Sequence, residues 1–468
     1  YGIDVAWKRK LVYRDQKDES YSLKYRYLPE NNKWINLSVQ LSYSKTEQND
    51  TRHEKVTSSF LGTLGNKSWI TYSDLTFDIS NTSTLNIGRA EHELLFGLQW
   101  LKNKRNTLMY HKEGVNKADY NYGYFQPYYM PSGRQYTQAF YLQDQIKWQN
   151  FLFTGGIRYD HINNIGQKNF APQYNDISAG HDYSQKNYNG WSYYLGLKYD
   201  VNHYLSVFTN FSKTWRAPVI DEQYETQSKQ LSSVPATSLN LEKEMINQTR
   251  VGGIITLNHL FQENDAFQFR TTYFYHRGKN EIFKTRGVNC VGNAADTNNS
   301  VCPEIIGNYR NLPGYVIQGA ELEAYYQSTY LFGELTYSYV KGKRDTSPRN
   351  PWGKTSTWIA EIPPRKATAT LGFNVPKYYL TVGWRAEFVR RQDRSPSSGD
   401  PKALYWSLPA SRGYSLHNLF LSWSPAKIKG MNIKITVDNL FNRAYNPYLG
   451  ELASGTGRNI KFSLSQKF

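Results

Sequence analysis

The strongest constraint on the fold of this chain is a two-residue alternation of apolar and polar side chains that recurs along its length. In the last stretch, 458–468, the alternating apolar residues are Ile460, Phe462, Leu464 and Phe468. Alternation requires only that one face of a strand be dry and the other wet, so this stretch alone also fits a soluble sandwich. Its length and its terminal aromatic favour a tilted strand of about 9 to 11 residues that crosses a bilayer.

The composition agrees with strands and disfavours a large helical core. Among 468 residues the chain has 39 Tyr, 22 Phe and 12 Trp but only 4 Met, and its mean hydropathy is -0.68. A soluble chain of this length is expected to divide into two or three domains, whereas a single barrel can absorb it. The sequence has no run of about 18 apolar residues, which excludes helical membrane spans. Membrane-spanning strands escape that test because they face lipid only at every second residue.

Short and long connections alternate between the predicted strands. The short ones lie at about 258–265, 327–330, 375–377 and 425–430. The long ones lie at about 45–66, 102–134, 161–190, 215–241, 280–310, 342–363, 391–412 and 441–457. Outer-membrane barrels join their strands by short periplasmic turns and long extracellular loops. The sequence therefore predicts an all-β fold, a transmembrane antiparallel β-barrel that occupies residues 1–468 as one domain and contains about 18 strands.

The formal net charge of +17 suggests an acidic partner. The basic residues are spread along the chain without a recognisable reader motif, which argues against nucleic acid. Lipopolysaccharide phosphates or an acidic protein surface explain the charge better. The sequence begins without Met and without a signal peptide, so we expect either a removed signal or a fragment.

Three segments carry a family resemblance: FSKTWRAP at Phe211–Pro218, SLNLEKE at Ser238–Glu244 and VDNLFNRAY at Val437–Tyr445. They resemble TonB-dependent outer-membrane receptors, and the first two resemble the FRAP and NPNL boxes of the haem and haemoprotein receptors in that group. Trp215 replaces the family's Phe in the first box, and only Asn240 and Leu241 match in the second. The resemblance implies a barrel of about 22 strands around an N-terminal plug. It makes 215–241 the seventh extracellular loop and leaves the plug, the TonB box and about four strands outside this sequence.

The resemblance implies a receptor in the outer membrane of a Gram-negative bacterium. It would bind haem or a haem-carrying protein at its extracellular loops and import haem iron with the TonB system. Haem would be the transported ligand and not a permanent cofactor, and the receptor would act as a monomer in contact with lipopolysaccharide. A ferric-siderophore receptor and a transferrin-iron receptor stay open as alternatives. So does a passive porin or adhesin barrel, which a plug in the full-length gene would exclude.

The resemblance also implies which loop residues bind the ligand: Trp215, Arg216, Ala217, Pro218, Tyr224, Asn240 and Leu241. The alternative for the first box is a strand that ends at Pro218, because proline lacks a ladder donor, with Trp215 as an interfacial aromatic. Haem iron takes His, Cys, Met or Tyr ligands, and Tyr224 is the only residue of this kind in 219–238. Tyr224 could equally be a loop aromatic at a protein interface.

Four histidines fall in predicted outer loops and are further candidate haem ligands: His53, His111, His161 and His181. Any one of them is more often a solvated residue. No other metal site is predicted.

The two cysteines, Cys290 and Cys302, are predicted to form a disulfide across one extracellular loop, because the compartment is oxidising and no zinc-type spacing is present. Enzymatic activity is not predicted. Acidic pairs such as Asp221 and Glu222 lie in an open loop where nothing raises a pKa or excludes water, and no nucleophile and base set is evident.

Overall fold

A computed structural model describes residues 12–52, 66–127, 129–177, 180–226, 237–284, 309–345, 357–359, 361–394, 411–449 and 454–467. The predictions for His53, Cys290, Cys302 and Phe468 lie outside the described residues. None of the helices within these ranges is long and apolar enough to cross a membrane.

The described residues form 19 strands in a single sheet. In chain order they are β1 Val12–Tyr27, β2 Leu37–Arg52, β3 Lys67–Ile87, β4 Ala90–Tyr110, β5 Tyr124–Phe125, β6 Gly133–Trp148, β7 Phe151–Gly166, β8 Lys186–Asp200, β9 Leu205–Arg216, β10 Glu244–Asn258, β11 Ala266–Lys284, β12 Tyr309–Gln327, β13 Leu331–Arg344, β14 Thr357–Trp358, β15 Lys366–Val375, β16 Leu380–Val389, β17 Tyr414–Trp423, β18 Met431–Asp438 and β19 Asn459–Gln466. One α-helix, α1, spans Ile220–Tyr224, and short 3-10 helices span Lys112–Gly114, Ala118–Gly123, Pro172–Tyr174 and Pro376–Tyr378.

The sheet is an antiparallel meander in which each long strand pairs with the long strands before and after it in sequence. The strands β5 and β14 have two residues each and lie against the loop ends of β4 and β13. The other 17 strands form the wall, so the predicted count of about 18 is confirmed closely. No ladder joins β1 to β19 within the described part of the chain, and both are edge strands there.

The alternation of connections is confirmed. Short turns at 88–89, 149–150 and 201–204 lie at one end of the wall, and the long connections 111–132, 167–185 and 217–243 lie at the other.

Three long connections begin later than predicted, because β2 continues to Arg52, β4 to Tyr110 and β7 to Gly166. The polar residues that follow 102 and 161 suggest loops. Beyond the hydrocarbon, however, backbone hydrogen bonds between strands need no apolar side chains, so a strand can continue through polar residues. His161 consequently lies within β7 and not in an outer loop.

The two faces of the wall differ as the alternation predicts. Leu98 and Leu195 lie on the outer face and are 59% and 61% exposed, as expected for side chains that meet lipid. On the opposite face Tyr141 donates a hydrogen bond to Asp78 at 3.2 Å, and Arg158 donates to the side-chain oxygen of Gln99 at 2.8 Å. The wall therefore has an apolar outer face and a polar lumen.

Candidate ligand-binding loops

The two predicted boxes meet at the long-loop end of neighbouring strands. Arg216 at the end of β9 faces Glu244 at the start of β10 in the ladder, and Trp215 faces Met245. The connection 217–243 therefore leaves and re-enters the wall at one point. Its helix α1 begins four residues after Arg216 and folds back toward β6 and β7.

Arg216 fastens α1 to the two strands. Its guanidinium donates to Glu222 at 2.7 Å and to Glu244 at 2.9 Å. The Glu222 carboxylate also accepts the backbone N–H of Val219 at 3.0 Å, and the Glu244 carboxylate lies 3.2 Å from the Tyr315 hydroxyl. One arginine thus neutralises two carboxylates, one of which, that of Glu244, is buried.

A buried amide network holds the turn that follows the first box. The Gln223 side-chain oxygen lies 3.0 Å from the Asn164 amide nitrogen and 3.1 Å from the Tyr188 hydroxyl. Asn164 also donates to the Pro218 carbonyl at 2.7 Å, while the Tyr188 hydroxyl lies 2.9 Å from the Leu241 carbonyl. Both boxes are therefore tied to the same network on β7 and β8.

Ala217, Pro218 and Leu241 are buried by these contacts, whereas Asn240 is exposed. The Trp215 ring lies under the Lys243 ammonium, 4.9 Å away. Most of the box residues thus serve to anchor the loop.

Tyr224 is fully buried at the end of α1. Its hydroxyl lies 3.0 Å from the Asn164 carbonyl and 2.8 Å from the Ser184 carbonyl, and its ring stacks on Tyr183 with centroids 6.3 Å apart. Burial raises the pKa of Tyr224 above its ordinary value. Because tyrosine coordinates ferric iron as a phenolate, this arrangement favours an anchoring role over iron ligation.

Gly166 leaves the space that the Tyr224 ring occupies, since a Cβ there would lie 2.7 Å from the ring. We expect Gly166→Ala to weaken docking of α1 by about 1 kcal/mol and so to accelerate proteolysis of 217–243 about fivefold. Gly155→Ala in the same strand is the matched control, because no atom lies closer than 3.9 Å to its added carbon. Equal cleavage rates in the two variants would contradict this placement.

The candidate histidines occupy different parts of the wall and loops. His111 begins the connection after β4, where its Nδ1 accepts the Glu113 N–H at 3.3 Å. Burial lowers the pKa of His111, so the neutral imidazole, the form that coordinates iron, predominates at neutral pH. His181 is buried in the connection after β7, with its ring edge-on to Tyr174 at 6.0 Å.

His161 is directly opposite Gln138 in the ladder between β7 and β6. Because alternate residues of a strand point to the same side, His161 lies on the same face of β7 as Ile157, which is the outer face, away from the lumen. Within the described ranges no three His, Cys, Asp or Glu side chains are placed to hold a metal ion together.

The long loops pack on one another. Met109, Phe125, Ala171 and Tyr174 form a buried cluster between the connections 111–132 and 167–185. Tyr183, Ile220 and Tyr224 form a second, which joins 167–185 to 217–243, and an Arg105–Asp221 ion pair links α1 to β4. We call residues 111–132, 167–185 and the described parts of 217–243 the loop cap.

The sequence analysis missed Asn164, Tyr188 and Gln223, which hold the loop cap in place. Only the alternation of β7 and β8 could have pointed to Asn164 and Tyr188 as lumen-facing residues.

The comparison with known families matches residues 1–440 to the family described as TonB dependent receptor-like, beta-barrel. The chain belongs to this family. The barrel is therefore an outer-membrane protein of Gram-negative bacteria, and the membership predicted from the three segments is confirmed.

Relatives of this receptor barrel carry more specific names. It is 88% identical over 468 residues to the TonB-dependent heme receptor A of Haemophilus influenzae (strain Rd), covering 100% of the chain and 63% of the relative. It is 58% identical over 469 residues to the protein of that name in Haemophilus ducreyi, covering 100% of the chain and 64% of the relative. The chain thus spans under two thirds of these relatives.

Among solved structures, the barrel is similar to the Serratia marcescens hemophore receptor HasR in complex with its hemophore HasA and heme. The TM-score is 0.68 at 18% identity, with 98% of this chain and 66% of that chain covered. At this identity the likeness supports the fold alone.

Proposed function

We propose that this receptor binds haem or a haem-carrying protein at its extracellular loops and imports haem iron in a TonB-dependent manner. The observation that carries the proposal is the 88% identity to a TonB-dependent heme receptor over the whole chain. The energy-coupled step would depend on a plug and TonB box outside residues 1–468. The receptor is proposed to act as a monomer, with haem as cargo.

The arrangement of the loop cap supports a preorganised binding surface. Binding costs less when the loops that meet the ligand are already ordered. Arg216, Gln223 and Tyr224 supply that order by fixing 217–226 to β9, β8 and β7. We propose that these residues position the surface, that Asn240 contributes to it directly, and that a Cys290–Cys302 disulfide restrains the neighbouring loop.

For the iron itself we propose His111 or His181 as a ligand, with Tyr224 in the anchoring role. The neutral state of His111 supports this choice, and both rings lie buried within the loop cap. A ferric-siderophore receptor is the second candidate, favoured by the absence of His from 219–238.

Growth tests separate the two candidates. The full-length receptor is expressed in a Gram-negative strain that lacks its own haem uptake and its own siderophore receptors. We expect growth on haem or haemoglobin as sole iron source and none on ferric siderophores. Growth on the siderophores alone would overturn the haem proposal.

Haem titration of purified variants tests the ligands. We expect His111→Ala or His181→Ala to weaken haem binding about tenfold or more, as for loss of a metal-supporting group. His203→Ala, in a short turn at the opposite end of the wall, is the control and should bind as the unchanged receptor does. Native affinity in both loop variants would exclude these two histidines.

A further inference from the structure

A group of neighbouring side chains on β10 and β11 faces the lumen. Gln248 of β10 is directly opposite His276 of β11 in the ladder, and Arg250 is directly opposite Phe274. Val251, the residue after Arg250, is 44% exposed on the outer face. Successive residues of a strand point to opposite sides, and directly opposed residues point to the same side, so the other four lie on the lumen face. We call Gln248, Arg250, Phe274 and His276 the lumen site.

The lumen site borders a cavity in the inner face of the wall. The cavity has a volume of about 600 Å³, and Gln248 and Arg250 line it together with Tyr141, Arg158 and Tyr194. Binding sites for small molecules and cofactors usually measure about 300 to 1,000 Å³. The cavity therefore has room for a ligand of that size beside the lumen site.

The lumen site lies beneath the anchor of the loop cap. Gln248 is directly opposite Ser212 of β9, four residues before Arg216, which holds α1 through Glu222. At about 3.3 Å per residue, the two levels are about 13 Å apart along the strand. A ligand that leaves the loop cap for the lumen would therefore meet this part of the wall early.

Arg250 has no counter-ion from the protein. It forms neither an ion pair nor a hydrogen bond with the residues that the structure describes. Other cations of the lumen are paired, as Arg158 is with Asp160 at 2.8 Å and Lys366 is with Glu387 at 2.9 Å. A guanidinium that has no such partner can bind the carboxylate of a ligand through charge-assisted hydrogen bonds.

His276 lacks a polar partner as well. Its ring lies 5.1 Å from the ring of Phe274, and its Nε2 is shielded from solvent without a hydrogen bond to any residue in the described ranges. A buried nitrogen without a partner is unfavourable, so a bound group that satisfies it is favoured. The side chain as a whole is partly exposed, and side-chain rotations of nanoseconds or less can present Nε2 to the lumen. Imidazole is a common ligand of haem iron.

We propose that the lumen site binds haem transiently on its way from the loop cap to the periplasm. His276 ligates the iron, Arg250 binds a propionate, and the Phe274 ring contacts the porphyrin. These groups match the metal, the anionic edge and the apolar face of one ligand. The proposal rests on the proposed haem import and adds a step on the path of haem through the lumen.

Haem uptake by cells that express the full-length receptor tests the lumen site. The variants are His276→Ala and Arg250→Gln, and the matched control is Arg385→Gln, which removes a lumen-facing arginine from β16. We expect uptake from limiting haem to slow about tenfold in both variants, as for loss of a metal-supporting group, and to be unchanged in the control. Haem binding at the cell surface, measured after an uncoupler has stopped transport, should equal that of the unchanged receptor in all three variants.

Two further measurements separate ligand binding from a structural role. Free imidazole at millimolar concentration should restore uptake to His276→Ala but not to Arg250→Gln, and Arg250→Lys, which keeps the charge, should import haem faster than Arg250→Gln.

Four results would overturn the proposal: undiminished uptake in both variants, an equal loss in Arg385→Gln, a loss in His276→Ala that imidazole does not repair, or a parallel loss of surface binding. The third would indicate that His276 contacts a protein segment outside residues 1–468 instead of haem. If the unchanged receptor itself imported no haem, the proposed transport function would fail, so the two failures are distinguishable.

Discussion

Tyr224→Ala is expected to destabilise the loop cap by about 3 to 5 kcal/mol, the usual cost of truncating a fully buried aromatic residue. The ring is completely buried, fills the space above Gly166 and stacks on Tyr183. Its removal leaves a cavity under α1 and frees the segment 217–226 from β7. We expect rapid proteolysis of this loop while the barrel stays folded, as a protease time course with mass spectrometry would show.

The Tyr224→Phe variant separates anchoring from iron ligation. It keeps the ring and removes only the hydroxyl that lies near the Asn164 and Ser184 carbonyls, so we expect a smaller cost of about 1 to 3 kcal/mol. The absorption spectrum of bound haem should not change. A shift of the iron-ligand bands in Tyr224→Phe would instead identify Tyr224 as a ligand. Tyr122→Ala, at an exposed loop position, is the control for surface tyrosines.

The fold could be predicted from the sequence because a two-residue period has few physical interpretations. A strand with an apolar and a polar face must separate two environments, and the alternation of short and long connections then determined which end of the wall carries the loops. Strand ends were less predictable. Strands β4 and β7 continue beyond the hydrocarbon and end at Tyr110 and Gly166. Polar side chains occur on both faces there, so the alternation of apolar and polar residues no longer marks the strand.

The candidate site could be located but its division of roles could not be predicted. Resemblance placed the two boxes in one loop, whereas the anchoring of that loop depends on Asn164 and Tyr188, which are distant in sequence from both boxes. Such long-range polar contacts leave no local signature. For the same reason Arg216 could be identified as a box residue, but its partners could not.

The partners of Arg216 make it the other position with a large expected effect. Arg216→Ala leaves the buried Glu244 carboxylate and the Glu222 carboxylate without their cation. Removing one partner of a buried ion pair costs about 3 to 5 kcal/mol of stability. The Arg216 side chain is 38% exposed, so solvent screens its charge and the expected cost is about 3 kcal/mol or below. Cleavage of 217–243 by a protease and urea denaturation in lipid vesicles would both report the loss.

A double-mutant cycle shows whether the charge is the cause. If the penalty comes from an uncompensated carboxylate, Glu244→Gln in the Arg216→Ala background should recover part of the stability, because the neutral amide no longer needs a cation. Additive losses in the double variant would mean that Arg216 acts through packing of its aliphatic stem instead. Recovery would show that the FRAP-like box holds the loop cap through the charge balance of Arg216 on β9 with the carboxylates of α1 and β10. A ligand that competes for Arg216 would then also loosen the loop to which the ligand binds.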